Sequence, residues 1–256
     1  MRLATFNILH GMALPAGTVA VAELRSAVST LDADVLGIQE VDRGQPRSSE
    51  VDQTAVAAAA MGAADWRFAP ALTGTPGDDW CRVLDGMPTG RSYGIGLLSR
   101  YPVRSWHVLR MRGAPGRSPI VVPPMDGGRL PRVLLLPDEP RALLAAEVDS
   151  PHGMITIATT HLSFTPGWNV WQLRRVVRAL RALPGPRILL GDLNLPGPVP
   201  RWLTGWRGLV GAPTYPAHEP KVQIDHVLAD GALPPVRAAR AVTGIISDHR
   251  ALIVDF

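Results

Sequence analysis

Cysteine is almost missing from this 256-residue chain: Cys81 stands alone, so no internal disulfide can form. A reducing cytoplasm is the expected setting, with Cys81 an ordinary loop thiol. Lysine is equally scarce. Lys221 is the sole one, so arginine supplies nearly all the positive charge behind a net +4 and a pI near 9.9. Guanidinium groups suit planar, bidentate contact with anions. A GC-rich genome produces the same bias, so the charge permits an anionic partner without identifying it. No apolar run is long enough to cross a bilayer. The opening residues Arg2-Leu3-Ala4-Thr5-Phe6-Asn7 read as a strand, not as a basic-then-apolar leader. Stable membrane insertion is therefore not expected.

What the chain does have is apolar content, 46% of its residues, enough to bury a large core. Residues 1–256 are read as one domain and the protein as a monomer. Strand-like runs occur at 2–8, 35–41, 94–99, 142–148, 154–160, 187–191, 223–229 and 251–256. Ser150-Pro151-His152-Gly153 predicts a hairpin turn. Helices are expected where Val21, Leu24, Val28 and Leu31 recur at 3-4-3 spacing, over the Ala-rich 49–61 closed by Gly62, and over 169–183, with Leu173, Val177 and Leu180 on one face. Such a mixture suggests an α/β fold of two packed sheets covered by outer helices. Two stretches read as long loops: 73–92, which holds Trp80, and 111–141, punctuated by Ala114-Pro115-Gly116, Pro123-Pro124 and Asp126-Gly127-Gly128. Loops of that length commonly line a site.

Polar residues cluster at the ends of the apolar runs. Phe6-Asn7, Gln39-Glu40, Thr160-His161-Leu162, Gly191-Asp192-Leu193-Asn194 and Ser247-Asp248-His249 follow one another in that order. Together they offer hard oxygen ligands for Mg²⁺ and groups that can move protons around a phosphate. Asp192 and Asn194, two apart in an extended chain, project to the same side while Leu193 anchors in the core. A carboxylate such as Glu40 at the rim of an apolar strand is costly unless paired, hydrated or bound to a cation.

The set, its order and its flanking strands resemble the endonuclease/exonuclease/phosphatase superfamily over essentially the whole chain. That resemblance implies a four-layer α/β sandwich: two packed mixed β-sheets flanked by helices. It makes Glu40 the principal Mg²⁺ ligand, Asp248 a second carboxylate near the metal, and Asn7 a group orienting the ligands or the phosphate. Mn²⁺ is expected to substitute. Asp192 then holds or deprotonates the attacking water, and Asn194 positions the phosphate. His161 acts as general acid or phosphate ligand, and His249 contacts the scissile phosphate. Asp225 of Gln223-Ile224-Asp225-His226 is expected to lie on a strand beside that of His249 and to fix its tautomer. Arg141 is a candidate phosphate contact. His226 stands where relatives often have Tyr and is read as packing. Relatives frequently have Asn where Ile95 stands in Tyr93-Gly94-Ile95-Gly96, a segment read as mainly structural.

His10 is explained as well by rim polarity as by chemistry. The stripe Arg174, Arg175, Arg178 and Arg181 reads as a solvated helix face, and Trp202, Trp206 and Tyr215 as core or rim packing. The resulting expectation is a Mg²⁺-dependent phosphodiesterase that hydrolyses a phosphate ester by in-line attack of activated water. A small or lipid-linked diester is preferred over duplex DNA. The alternatives are a DNase I-like endonuclease acting on nucleic acid and, from another class, a non-catalytic binding module that kept the fold. The residues do not choose among substrates, nor between base and stabiliser for His249.

Overall fold

The structure, a computed structural model, describes residues 1–122 and 132–256, with side chains described outside 119–134. Pro123-Pro124 and Asp126-Gly127-Gly128 lie outside the described residues. The chain begins with β1 (Arg2–Asn7), a short ribbon of β2 (Met12–Ala13) and β3 (Thr18–Val19), α1 (Val21–Leu31), β4 (Val35–Arg43) and α2 (Gln53–Met61). β5 (Asp65–Gly74), β6 (Trp80–Arg82), β7 (Ser92–Ser99), β8 (Val103–Met111), β9 (Arg117–Val122) and β10 (Arg132–Pro137) follow. The second half holds β11 (Arg141–Ser150), β12 (Gly153–His161), α3 (Trp168–Arg181), β13 (Arg187–Asp192) and α4 (Val199–Thr204). It closes with β14 (Arg207–Gly208), β15 (Asp225–Asp230), β16 (Ala238–Val242) and β17 (Ala251–Asp255).

A seven-stranded sheet runs β16-β17-β1-β4-β7-β5-β6, and a six-stranded sheet runs β14-β15-β13-β12-β11-β8. Alternation along the strands divides the apolar residues among three layers of core. Leu3, Val35, Leu97, Ile157, Ile188, Leu190 and Val254 pack between the sheets. Ala4, Phe6, Leu36 and Ile38 face outward under α1 and α2, and Leu189 and Leu228 face outward under α3 and α4. The continuous run Ile188-Leu189-Leu190 is therefore apolar because both faces of β13 are covered. The result is the α/β/β/α sandwich expected from the sequence.

Helix α2 starts and stops for identifiable reasons. Asp52 caps α2, accepting from the backbone of Thr54 and Ala55 at 3.0 and 3.1 Å. Gly62 ends it in the left-handed conformation. The cap places the helix start at Gln53 and leaves residues 49–51 outside the expected helix. In α3, Leu173, Val177 and Leu180 face the core, while Arg174, Arg175, Arg178 and Arg181 are exposed.

The two stretches read as loops contain short strands. β6 folds back on β5, and β9 pairs with β10. β5, β8 and β16 were also not evident in the sequence, because their residues mix polar and apolar without sustained alternation. No helix among the described residues is long and apolar enough to cross a membrane.

Candidate active site

Strand direction brings the polar ends to one rim. β1 and β4 are parallel neighbours, as are β12 and β13, so Asn7, His161 and Asp192 sit at C-terminal ends, and Glu40, next to the Gln39 that pairs with Asn7, lies level with them. β15 and β17 run antiparallel to the strands they join, β13 and β1. Their N-terminal ends, with Asp225 and the preceding Asp248-His249, therefore reach the same rim. Register completes the row, with His161 opposite Asp192 and Asp192 opposite Asp225.

Local backbone aims the side chains. In regular alternation Glu40 would share the outward face of Ile38, beneath the helices. Instead the pairing of β4 with β7 shifts register between Ile38 and Val41, and Glu40 adopts φ +57°. This bulge turns its carboxylate to the rim. Such a conformation is uncommon for a non-glycine residue and concentrates at functional sites. Asn194 (φ +48°) and Ser247 (φ +77°) share it. Gly191, at φ +137°, lets β13 approach β12 where any Cβ would collide with the Thr160 carbonyl.

The side chains form one connected set. The Asn7 amide donates to Glu40 Oε1 at 2.9 Å and to Asp192 Oδ2 at 3.1 Å, joining the two sheets. Its own Oδ1 is held by the Leu9 amide at 3.1 Å. Asp192 Oδ1 accepts from the Asn194 backbone at 2.9 Å, and Asn194 Nδ2 donates to the Leu162 carbonyl at 3.0 Å. His161 lies with Nδ1 3.3 Å from Arg141 Nη1 and Nε2 3.3 Å from Asn194 Nδ2. A neutral imidazole can accept from only one of these donors. Asp225 Oδ2 contacts His249 Nδ1 at 2.9 Å. Ser247 Oγ donates to the Asn7 carbonyl at 2.6 Å and receives the His249 backbone N–H at 3.1 Å.

Burial sets the electrostatics. It raises the Glu40 carboxyl above its usual range, opposed by the Asn7 amide and reinforced by the charge on Asp248. Burial and the neighbouring Asp225 push Asp192 up to about 7. Burial, Arg141 and His249 hold His161 well below the usual imidazole range. Burial would also lower His249, but the Asp225 charge and hydrogen bond, with Asp192 and Asp248, outweigh it and lift the ring to about 10.

Two positions on this rim have donors for a cation. Glu40 and Asp248 are close enough for charge repulsion, and Asp248 Oδ1 is buried without a hydrogen-bond partner. That pattern fits a hard divalent ion. Asp192, Asp225 and His249 also form a buried cluster whose ligand atoms lie within 4.8 Å of one another. There Asp225 is already engaged by His249, and an imidazole raised in this way holds a proton where a metal would need a free lone pair.

Glu40, His161, Asp192, Asn194, Asp248 and His249 line a cavity of about 590 Å³ with His10, Arg47, Tyr93, Glu139, Arg141, Phe164 and Tyr215. Pro76 and Gly77 from the 73–92 stretch, and Leu136 and Pro137 from the 111–141 stretch, complete its walls. Both stretches thus contribute to the cavity wall.

Some expectations are corrected. Asp225 and His249 do not belong to adjacent strands: β15 lies in the six-stranded sheet and β17 in the seven-stranded one. Their contact crosses the sandwich. Ile95 is buried between the sheets. Within that segment Tyr93 is the residue at the cavity wall, a role obscured by its strand context. His226 packs away from the rim, with Nε2 2.8 Å from the Leu195 carbonyl. Trp206 is core and Trp202 is 74% exposed, whereas Tyr215 tilts against His249 at 5.1 Å between ring centroids. Arg47, Glu139 and Phe164 carried no sequence signal, because their relevance depends on which loops meet at the cavity.

A model of the Endonuclease/Exonuclease/phosphatase family matches residues 4–249. The chain belongs to that family. Solved structures with the same fold include an endonuclease/exonuclease/phosphatase from Beutenbergia cavernae, 23% identical with a TM-score of 0.67 over 99% of this chain and 70% of that one. The mannosyl-6-phosphatase Bt3783 of Bacteroides thetaiotaomicron is 13% identical, with a TM-score of 0.63 over 100% and 98% of the two chains. Sphingomyelinase C of Streptomyces griseocarneus is 14% identical, with a TM-score of 0.61 over 99% and 97%. No curated protein matches the chain.

Proposed function

We propose that this family member is a divalent-metal-dependent phosphodiesterase acting on a small or lipid-linked ester. The observation that carries the reading is the Asn7 amide, which ties Glu40 of one sheet to Asp192 of the other at 2.9 and 3.1 Å. A cation-binding carboxylate and a water-activating carboxylate are thereby held at a fixed separation around one cavity. Glu40 and Asp248 would hold Mg²⁺ or Mn²⁺, with Asn7 orienting Glu40. When bound, the ion neutralises charge on the phosphate and on the departing oxygen.

The chain's own groups account for the remaining steps. Asp192 accepts a proton from the water whose oxygen forms the new bond to phosphorus. Asn194 and Arg141 hold non-bridging oxygens, Arg141 as a guanidinium preset by burial beside Asp138. His249, fixed by Asp225, stabilises the charge that develops in line. The phosphorus–oxygen bond to the alcohol breaks, and His161 donates a hydrogen bond to the leaving oxygen, which takes its proton from water. The mannosyl-6-phosphatase and sphingomyelinase C names among the structural neighbours support a non-nucleic ester. So does the exposed Arg stripe of α3, which lies on the face opposite the helix's packed side.

The test is a panel of phosphate mono- and diesters offered with Mg²⁺ and with Mn²⁺. Turnover of a diester that chelator, Asp192→Ala and His161→Ala each abolish is expected. A protein that turns over no ester with either metal would be the binding module instead.

A further inference from the structure

Beside the rim set, the cavity has a second wall with its own architecture. Asp42 on β4 is fully buried, and its carboxylate takes Arg47 in a two-pronged contact, Nε and Nη2 each at 2.8 Å. The Asp42 backbone N–H is in turn held by Gln53 Oε1 at 2.9 Å. Gln53 also donates to the His10 carbonyl at 2.7 Å. A buried carboxylate with one guanidinium partner is a costly way to fill space. Here it fixes the arginine's plane, leaving the Nη1 edge outside the pairing. Arg47 lines the cavity with Tyr93, His10 and Glu139, its guanidinium carbon 5.8 Å from the Tyr93 ring centroid.

Glu139 is the acceptor in this wall. Burial raises its carboxyl, with Arg141 and Arg47 opposing and Glu40 reinforcing the shift, and neither it nor the Tyr93 hydroxyl has a hydrogen-bonded side-chain partner among the described residues. A fixed donor edge, a free carboxylate and a free phenol therefore face one space. Among the described residues the charges of this wall do not favour a second anion. Arg47 is cancelled by Asp42, and Arg141 stands beside Asp138 at 3.6 Å. Among the described residues Glu139 has no ion-pair partner, so a second phosphate would meet no surplus of positive charge from them. Neutral groups that both donate and accept satisfy the wall, and hydroxyls on adjacent carbons do so best.

We propose that Arg47, Glu139 and Tyr93 receive the hydroxyls of the alcohol half of the substrate, making the ester that of a sugar or other small polyol. This rests on the phosphoesterase reading above and names its substrate class. Whether the polyol phosphate is free or the head group of a lipid is left to the arms of the test.

The protein, supplied with Mg²⁺, is offered the methyl diester of glucose phosphate, glycerophosphoinositol and phosphatidylinositol vesicles, alongside matched cyclohexyl diesters that lack the ring hydroxyls. The expected kcat/KM for a hydroxylated ester exceeds that of its match by at least ~100-fold, because a wall built for hydroxyls leaves polar groups unpaired when they are missing. Glu139→Gln should shrink that ratio by about tenfold or more. Arg47→Met strands Asp42, so it is paired with Asp42→Asn to keep the fold and should shrink the ratio likewise. Ratios within about threefold of one in the unaltered protein overturn the proposal. So do variants that slow both esters equally, which would place these residues in the hydrolytic set. If no ester is turned over, the phosphoesterase reading has failed. Calorimetric titration of the same phosphates then decides the proposal: tighter binding of the hydroxylated member supports it, and equal binding refutes it.

Discussion

Asp225 and His249 face each other from different sheets, with Oδ2 and Nδ1 2.9 Å apart, so their contact bridges the two halves of the sandwich at its rim. Both are buried, and the hydrogen bond directs the opposite ring nitrogen, Nε2, toward Asp192 at 3.9 Å. Asp225→Asn preserves shape but removes the charge that orients and protonates the ring. Turnover is expected to fall by about 10²–10⁴-fold, by analogy with other carboxylate–imidazole pairs. Mn²⁺ affinity, measured by calorimetry, should stay nearly unchanged. A variant as active as the parent would remove His249 from the chemistry.

Glu40 and Asp248 define the expected cation position. In crystals soaked with Mn²⁺, an anomalous peak should appear beside the Glu40 carboxylate. Glu40→Gln should weaken Mn²⁺ binding by at least ~10-fold, since it deletes a charged oxygen ligand. Finding the only ordered ion between Asp192 and Asp225 would relocate the centre.

Nucleic acid makes a separate demand. Its affinity comes mainly from phosphate contacts along a continuous positive groove, yet the exposed Arg174, Arg175, Arg178 and Arg181 decorate the outer helix layer. Purified protein is expected to leave plasmid DNA intact at catalytic ratios. Cleavage that disappears in both His161→Ala and Asp192→Ala would establish the nuclease alternative.

Between the sheets lies a small polar relay. Gln39 Nε2 donates to Thr159 Oγ1 at 2.8 Å and to Thr5 Oγ1 at 3.1 Å. Gln39→Leu strands both hydroxyls and should cost about 1–3 kcal/mol in chemical denaturation. Adding Thr159→Val should recover part of that loss. A neutral single substitution would show the relay contributes nothing.

His10 supplies a pH signature. Burial and Arg47 lower its pKa from 6.5 to about 4. As pH falls through that interval the unfolded chain binds a proton that the folded chain refuses, so stability decreases toward acid. Above pH 6.5 both states are neutral and the effect vanishes. His10→Gln should flatten the decline between pH 6.5 and 4 by on the order of 1–2 kcal/mol. An unchanged slope in paired denaturation series would assign the decline to other groups.

Much of this protein was legible in the chain itself. Strands such as Ile188-Leu189-Leu190 are apolar on both faces, and helix α3 repeats at helical spacing, so a covered two-sheet sandwich followed from periodicity. Asn7, Glu40, His161, Asp192 and Asp248 could be picked out because each interrupts an apolar run with a polar group at its end, where burial is costly without a partner. Tertiary structure decided what those ends do together. Parallel and antiparallel pairings carry them to one rim, the bulge at Glu40 reverses the face that simple alternation assigns, and Asp225 reaches His249 across the sandwich rather than along a sheet. The second wall of Arg47, Tyr93 and Glu139 lay wholly beyond the sequence. Its members come from separate loops and strands, and no local pattern records which of them will share a cavity.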